Sequence, residues 1–152
     1  MNKTKQKTLI IILCVLTAAA VIFIFSNSLK DGAASNAASG RFSDILGGIV
    51  RVVFGKNADV NYLVRKGAHL TEFALLGALT FALVRAITEY TGVKLFFCGL
   101  FGTLSVAVID EYIQSFTGRT SLVSDVLIDF SGALLGMLAA FLLYIVIRKC
   151  RK

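Results

Sequence analysis

Residues 126–147 read VLIDFSGALLGMLAAFLLYIVI, and the chain closes at 148–152 with RKCRK. As an α-helix rising about 1.5 Å per residue, this run is about 33 Å long, enough to cross a hydrocarbon layer roughly 30 Å thick. Its one carboxylate, Asp129, lies near its start, and Arg148, Lys149, Arg151 and Lys152 follow its end as a basic anchor. Three further apolar blocks lie upstream, at 9–25, 68–84 and 95–109. The first spans on its own. The second spans only with His69 and Glu72 near one membrane edge, and the third needs part of its flanks. At 57% hydrophobic, 16% charged and a mean hydropathy of +0.80, the composition excludes an ordinary soluble domain. The expected fold is all-α: a single integral-membrane four-helix bundle over 1–152, with helices near 9–27, 60–88, 94–114 and 124–148.

The net charge of +7 raises nucleic acid as a partner, and the placement of the charge argues against it. Lys3, Lys5 and Lys7 precede the first block, Arg85 and Lys94 separate the second from the third, and four cations end the chain. In the other two connections, 26–66 and 110–125, acids nearly cancel the cations. By the positive-inside rule both termini are cytoplasmic and both acidic connections lie outside. The excess charge sets topology, and the expected partners are membrane lipids, a lipid-linked envelope precursor or an envelope protein, with no nucleic acid. The 9–25 block exceeds a signal peptide's apolar core and has no small-x-small site close behind it, so it reads as a retained helix. Cys14 and Cys98 fall in apolar blocks and Cys150 in the basic tail, so no disulfide framework is implied.

The first outer connection has two parts. Residues 26–40, SNSLKDGAASNAASG, read as a flexible exit from the first helix. In 41–54, Phe42, Ile45, Leu46, Ile49, Val50 and Val53 recur at helical spacing opposite Arg41, Asp44, Gly47 and Arg51, which predicts an interfacial amphipathic helix. Covering the bundle mouth is the favoured role for it, and sensing lipid the lesser one. Asp59 is placed to cap the next helix.

Ionisable residues at membrane depth need a partner, water or a function, because a carboxylate there costs about 2.5–3.5 kcal/mol on insertion scales. Here they follow a pattern. Arg65, Lys66, His69 and Glu72 enter the second span; Asp110, Glu111 and Gln114 leave the third; Asp125 and Asp129 enter the fourth. Arg65, His69 and Glu72 share one helical face, and Asp110–Gln114 and Asp125–Asp129 are one turn apart. All lie at the outer ends of their helices. Five carboxylates, Glu72, Asp110, Glu111, Asp125 and Asp129, meet three cations, Arg65, Lys66 and Arg119, besides His69. That set makes either a structural ion-pair network or an outward-facing polar pocket for a cation, a proton transfer or a headgroup. His69 and Glu72 opposite Asp125 and Asp129 are compatible with Mg²⁺, Mn²⁺ or Ca²⁺ but do not require a metal, and one His without neighbouring Cys is not a typical zinc centre. Ser26, Ser121 and Ser124 lack the surroundings of a nucleophile elbow. Gly132 and Gly136, one turn apart, give the last helix a smooth packing face, and Gly99 and Gly102 offer the same on the third.

Three motifs run in order along the chain: FIFSNS at 23–28, RKGAHLTEFALLGAL at 65–79 and IDEYIQSFTGRTSLVSDVLIDFSGALLG at 109–136. On these the chain resembles the VanZ-like family, named for a teicoplanin-resistance protein. Lys66, His69, Glu72, Asp110, Glu111, Gln114, Arg119, Asp125 and Asp129 match the family's pattern. Ser28 stands where the family usually has Gln, Ile113 where some members have His, and the turn before Gly118 is one residue short and lacks a Pro. The resemblance implies a multi-pass protein of the bacterial plasma membrane, linked in some members to lowered glycopeptide susceptibility. It supplies no reaction, so an envelope-binding protein and a membrane-embedded hydrolase or transferase using Glu72 or His69 as general base stand side by side. A transporter would need oligomerisation, because four helices without an internal repeat are few for alternating access.

Overall fold

The computed structural model describes residues 3–30, 32–89, 91–117 and 122–150, leaving out the side chains of 32–39 and 41. Five helices account for nearly all of these residues: α1 (Lys3–Ser28), α2 (Gly32–Phe54), α3 (Val60–Ile87), α4 (Gly92–Ser115) and α5 (Val123–Cys150). Four of them, α1, α3, α4 and α5, are long and apolar enough to cross a membrane. Gln6 near the start of α1 donates to the Ala86 carbonyl near the end of α3, so these two helices run antiparallel. The bundle therefore has a terminal face, where α1 begins and α5 ends, and a loop face at the opposite end.

Local chemistry sets the helix limits. Gly55, at φ +94°, stops α2 in a conformation that side chains rarely adopt. Asp59 caps α3, its carboxylate accepting the Tyr62 N–H at 3.0 Å, as its position in the sequence predicts. The Thr88 hydroxyl donates back to the Val84 carbonyl at 2.7 Å and closes α3.

The largest interface joins α3 to α5. A Cβ on Gly132 would press on the Leu70 carbonyl, one on Gly136 on the Ala74 carbonyl, and one on Gly77 on the Ala133 backbone. Positions advancing together on both helices make the pair parallel. Backbone touches backbone here, as small-residue stripes permit in membranes, where helix association rests on packing contacts. Gly99 meets the Met137 side chain, but among the described residues nothing lies within 4 Å of a Cβ on Gly102. Gly102 therefore does not serve the packing expected of it: it faces away from the bundle. Two apolar clusters fill the interior, Ile24, Phe73, Leu76, Ala107 and Ala133 toward the loop face, and Phe81, Leu95 and Met137 toward the terminal face. Large apolar side chains such as Phe97, Phe101, Leu135 and Leu142 point outward, the arrangement expected where the surroundings are lipid.

Two expectations for the first connection need correction. Residues 32–40 are not a flexible exit, since α2 is already helical from Gly32. The run is rich in Ala, the best helix former, and near a membrane an unbonded backbone is costly. Nor does α2 cover the bundle mouth with its apolar side. Gly47 is buried against Val60, whereas Phe42, Ile45, Ile49 and Val53 are all at least 60% exposed. Held this way, the helix leaves its apolar face uncovered among the described residues.

Candidate functional site

At the loop face α1 ends, α3 begins, α4 ends and α5 begins, so the polar residues at those ends meet at one depth. Asp110, Glu111, Gln114, Asp125 and Asp129 are buried, and so is Ser28 from α1. Lys66 and His69 reach in from α3, their side chains 14% and 13% exposed.

Within this cluster the contacts are specific. Lys66 forms an ion pair with Asp125 and lies over the Tyr62 ring. His69 Nδ1 sits between two carboxylates from different helices, 3.7 Å from Asp129 Oδ1 and 3.9 Å from Asp110 Oδ2. Gln114 Nε2 donates to Asp110 Oδ2 at 2.7 Å and to Ser28 Oγ at 3.3 Å, tying α4 to α1. Asn27 Nδ2 donates to Glu72 Oε1 at 2.9 Å. Glu111 Oε2 accepts the Leu122 N–H at 3.2 Å, just before α5 begins. A buried carboxylate in that position both satisfies a backbone donor and complements the positive end of the helix dipole. Among the described residues, Asp129 Oδ2 and Glu72 Oε2 are enclosed without a hydrogen-bond partner.

Eight of the nine residues singled out in the sequence are therefore placed at this face: Lys66, His69, Glu72, Asp110, Glu111, Gln114, Asp125 and Asp129. Arg119 lies outside the described residues. The hydroxyl of Ser26 donates to the Ile22 carbonyl of its own helix, and that of Ser124 to Asp125; Ser121 lies outside the described residues. Two members of the cluster, Asn27 and Ser28, were not among those nine. The motif FIFSNS contains both, and their being polar at the outer end of a helix was the available signal. That they bond Glu72 and Gln114 depends on how α1 is turned.

His69, Asp110 and Asp129 each offer one ligand atom, all within 4.8 Å of one another, a geometry open to a cation or to proton transfer. Asp125, counted with Asp129 as a possible ligand, is instead engaged by Lys66. A separate cavity of about 400 Å³ lies toward the terminal face, lined by Phe81, Leu95, Phe141, Arg85 and Tyr144 among others. Arg85 there donates to the Tyr144 hydroxyl at 3.3 Å, and among the described residues no carboxylate lines the space. It is remote from the polar cluster, whose chemistry it does not share.

A family model described as VanZ/LLP1 matches residues 9–145. No curated protein and no solved structure matches the chain.

Proposed function

The chain belongs to the VanZ-like (VanZ/LLP1) family, and from that premise we propose that it works in the bacterial plasma membrane, its polar cluster facing outward to bind the headgroup of a lipid or lipid-linked envelope precursor. Both termini are then cytoplasmic. The distribution of Lys and Arg supports this orientation, because Lys3, Lys5, Lys7, Arg85, Lys94, Arg148 and Lys149 all lie toward the terminal face. Lowered susceptibility to glycopeptides such as teicoplanin is the phenotype such binding would produce if the headgroup belongs to a cell-wall precursor.

One observation carries the reading: α3, α4 and α5 each bring an ionisable side chain, His69, Asp110 and Asp129, to one point at the loop face of the bundle. A bundle held by packing gains little from that. Burying carboxylates costs several kcal/mol per ion unless each is fully paired, and glycine packing already joins α3 to α5. A headgroup rich in hydroxyl, amine and phosphate groups suits the site. Carboxylates accept from hydroxyls and amines, while Lys66 and His69 at the rim donate to phosphate oxygens.

A second reading, a hydrolase or transferase acting on the same headgroup, is favoured by the placement of His69 between two carboxylates. They would orient the imidazole and stabilise its charged form as it takes a proton.

The test compares lipid and envelope-precursor profiles of cells with the protein, without it, and with Glu72→Gln. An altered covalent species that reverts in the variant supports the enzyme. Unaltered species, with a lipid or precursor that co-purifies with the native protein and not with Glu72→Gln, supports binding alone. If neither profile nor co-purification differs while Glu72→Gln folds normally, the cluster is architectural and the proposal fails.

A further inference from the structure

We propose that His69, Asp110 and Asp129 form a binding site for one divalent cation, with Mn²⁺ the ion that suits the donor set best. The inference deepens the reading of this cluster as a ligand site but does not depend on which headgroup it takes.

The three donors come from three helices and lie within 4.8 Å of one another, with edges of 3.7 Å and 3.9 Å from His69 Nδ1 to the two carboxylates. Donors bound to one ion at roughly 2.0–2.3 Å lie about 3–3.7 Å apart. Small side-chain movements therefore close the cluster on an ion.

A second observation concerns Asp129. It is 1% exposed, and its Oδ2 has no hydrogen-bond partner among the described residues. Its charged surroundings are Asp110, Glu111 and Asp125, with Lys66 the described cation among them. Lys66 is taken up by Asp125. A carboxylate so enclosed, in mainly negative company, is a strong place for a positive ion.

The supporting shell is of the kind metal ligands have. Gln114 Nε2 holds Asp110 at 2.7 Å and is held in turn by Ser28, a hydrogen bond that orients the carboxylate. The His69 side chain keeps 13% of its surface exposed. Two carboxylates and one imidazole fall between the all-oxygen preference of Mg²⁺ and Ca²⁺ and the nitrogen and sulfur preference of softer ions, which is where Mn²⁺ lies.

The experiment uses the full chain, purified in detergent with a tag lacking histidine, stripped with chelator and titrated with Mn²⁺ alone. Electron paramagnetic resonance follows loss of the free-ion signal. One Mn²⁺ should bind per chain. Asp129→Asn and Asp110→Asn should each weaken binding at least about tenfold, while Glu89→Gln, exposed beyond the far end of α3, should leave it unchanged. A pulsed measurement on the native protein covers the case in which a variant fails to fold. The chain has a single His, so imidazole-nitrogen coupling to bound Mn²⁺ identifies His69 without any substitution. Absence of stoichiometric binding into the millimolar range, or bound Mn²⁺ without nitrogen coupling, overturns the site. So does binding indifferent to both Asp variants. No lipid is added, so a cation site could fail with headgroup binding intact, and the reverse.

Discussion

Replacing Lys66 with Met would leave Asp125 charged, largely buried and without its ion-pair partner. The two side chains are 14% and 11% exposed, close to the buried limit, where breaking one partner costs about 3–5 kcal/mol. Their residual exposure puts the expected loss near the lower end, about 3 kcal/mol, or roughly a hundredfold in the ratio of folded to unfolded protein. Asp125→Leu should cost less. A Lys without its partner can extend its ammonium toward the rim, and Lys66 already lies over the Tyr62 ring, 5.4 Å from its centroid. In the double variant Lys66→Met/Asp125→Leu neither charge of the pair remains to be left without its partner, so its stability should return to within about 1 kcal/mol of the native protein. Thermal unfolding in detergent, with membrane abundance measured on the same four proteins, reads the cycle. A Lys66→Met protein that melts like the native one would show that no buried pair exists. A double variant as unstable as Lys66→Met would show that the two residues are not coupled. If the double variant folds normally and the envelope phenotype or lipid retention is lost, the pair has a role beyond holding α3 to α5.

Gly136→Leu should force α3 and α5 apart, since a Cβ there already falls within 2.6 Å of the Ala74 carbonyl carbon; overpacking of this kind costs about 1–3 kcal/mol, while Gly102→Ala, with open space at its Cβ, should not lower the melting temperature. A Cys introduced at Lys56 should react with a membrane-impermeant reagent in intact cells and Cys150 should not; the opposite pattern would invert the orientation and move the polar cluster to the cytoplasmic side. The double variant Ile45→Asp/Ile49→Asp should speed amide exchange across 42–54 while changing the stability of the bundle by no more than about 0.5 kcal/mol, because both side chains are exposed; a collapse of the whole bundle would mean that α2 holds it together.

The number of long apolar helices, their alternating directions and the gathering of the polar residues at one end of the bundle were legible in the sequence, because they follow from length and alternation. An apolar run that crosses has to be helical, since water cannot bond its backbone within the hydrocarbon. Once four crossings alternate in direction, Ser28, Lys66, Gln114 and Asp125 must lie at the same face, however the helices are turned. What was misread concerned local preference without its surroundings. The small-residue run at 32–40 looked like a loop until the cost of an unbonded backbone beside a membrane was added. Gly102 looked like a packing glycine, although a small residue allows close approach only where a neighbouring helix is in front of it.

Which side chains meet within that shared depth was decided by tertiary structure alone. Linear spacing grouped Asp125 with Asp129 as neighbours on one face, but the fold gives Asp125 to Lys66 and Asp129 to His69. It sends Glu111 to the Leu122 amide, and turns Asn27 toward Glu72. These choices depend on the rotation and axial offset of each helix. For α3 and α5 both are set where Gly132 and Gly136 rest on the backbone at Leu70 and Ala74. Hydrophobicity fixes a helix across the membrane but is nearly indifferent to its rotation, because lipid is as apolar as the neighbouring helix. Close packing, short in range and sensitive to fractions of an ångström, is what brings His69, Asp110 and Asp129 to a common point.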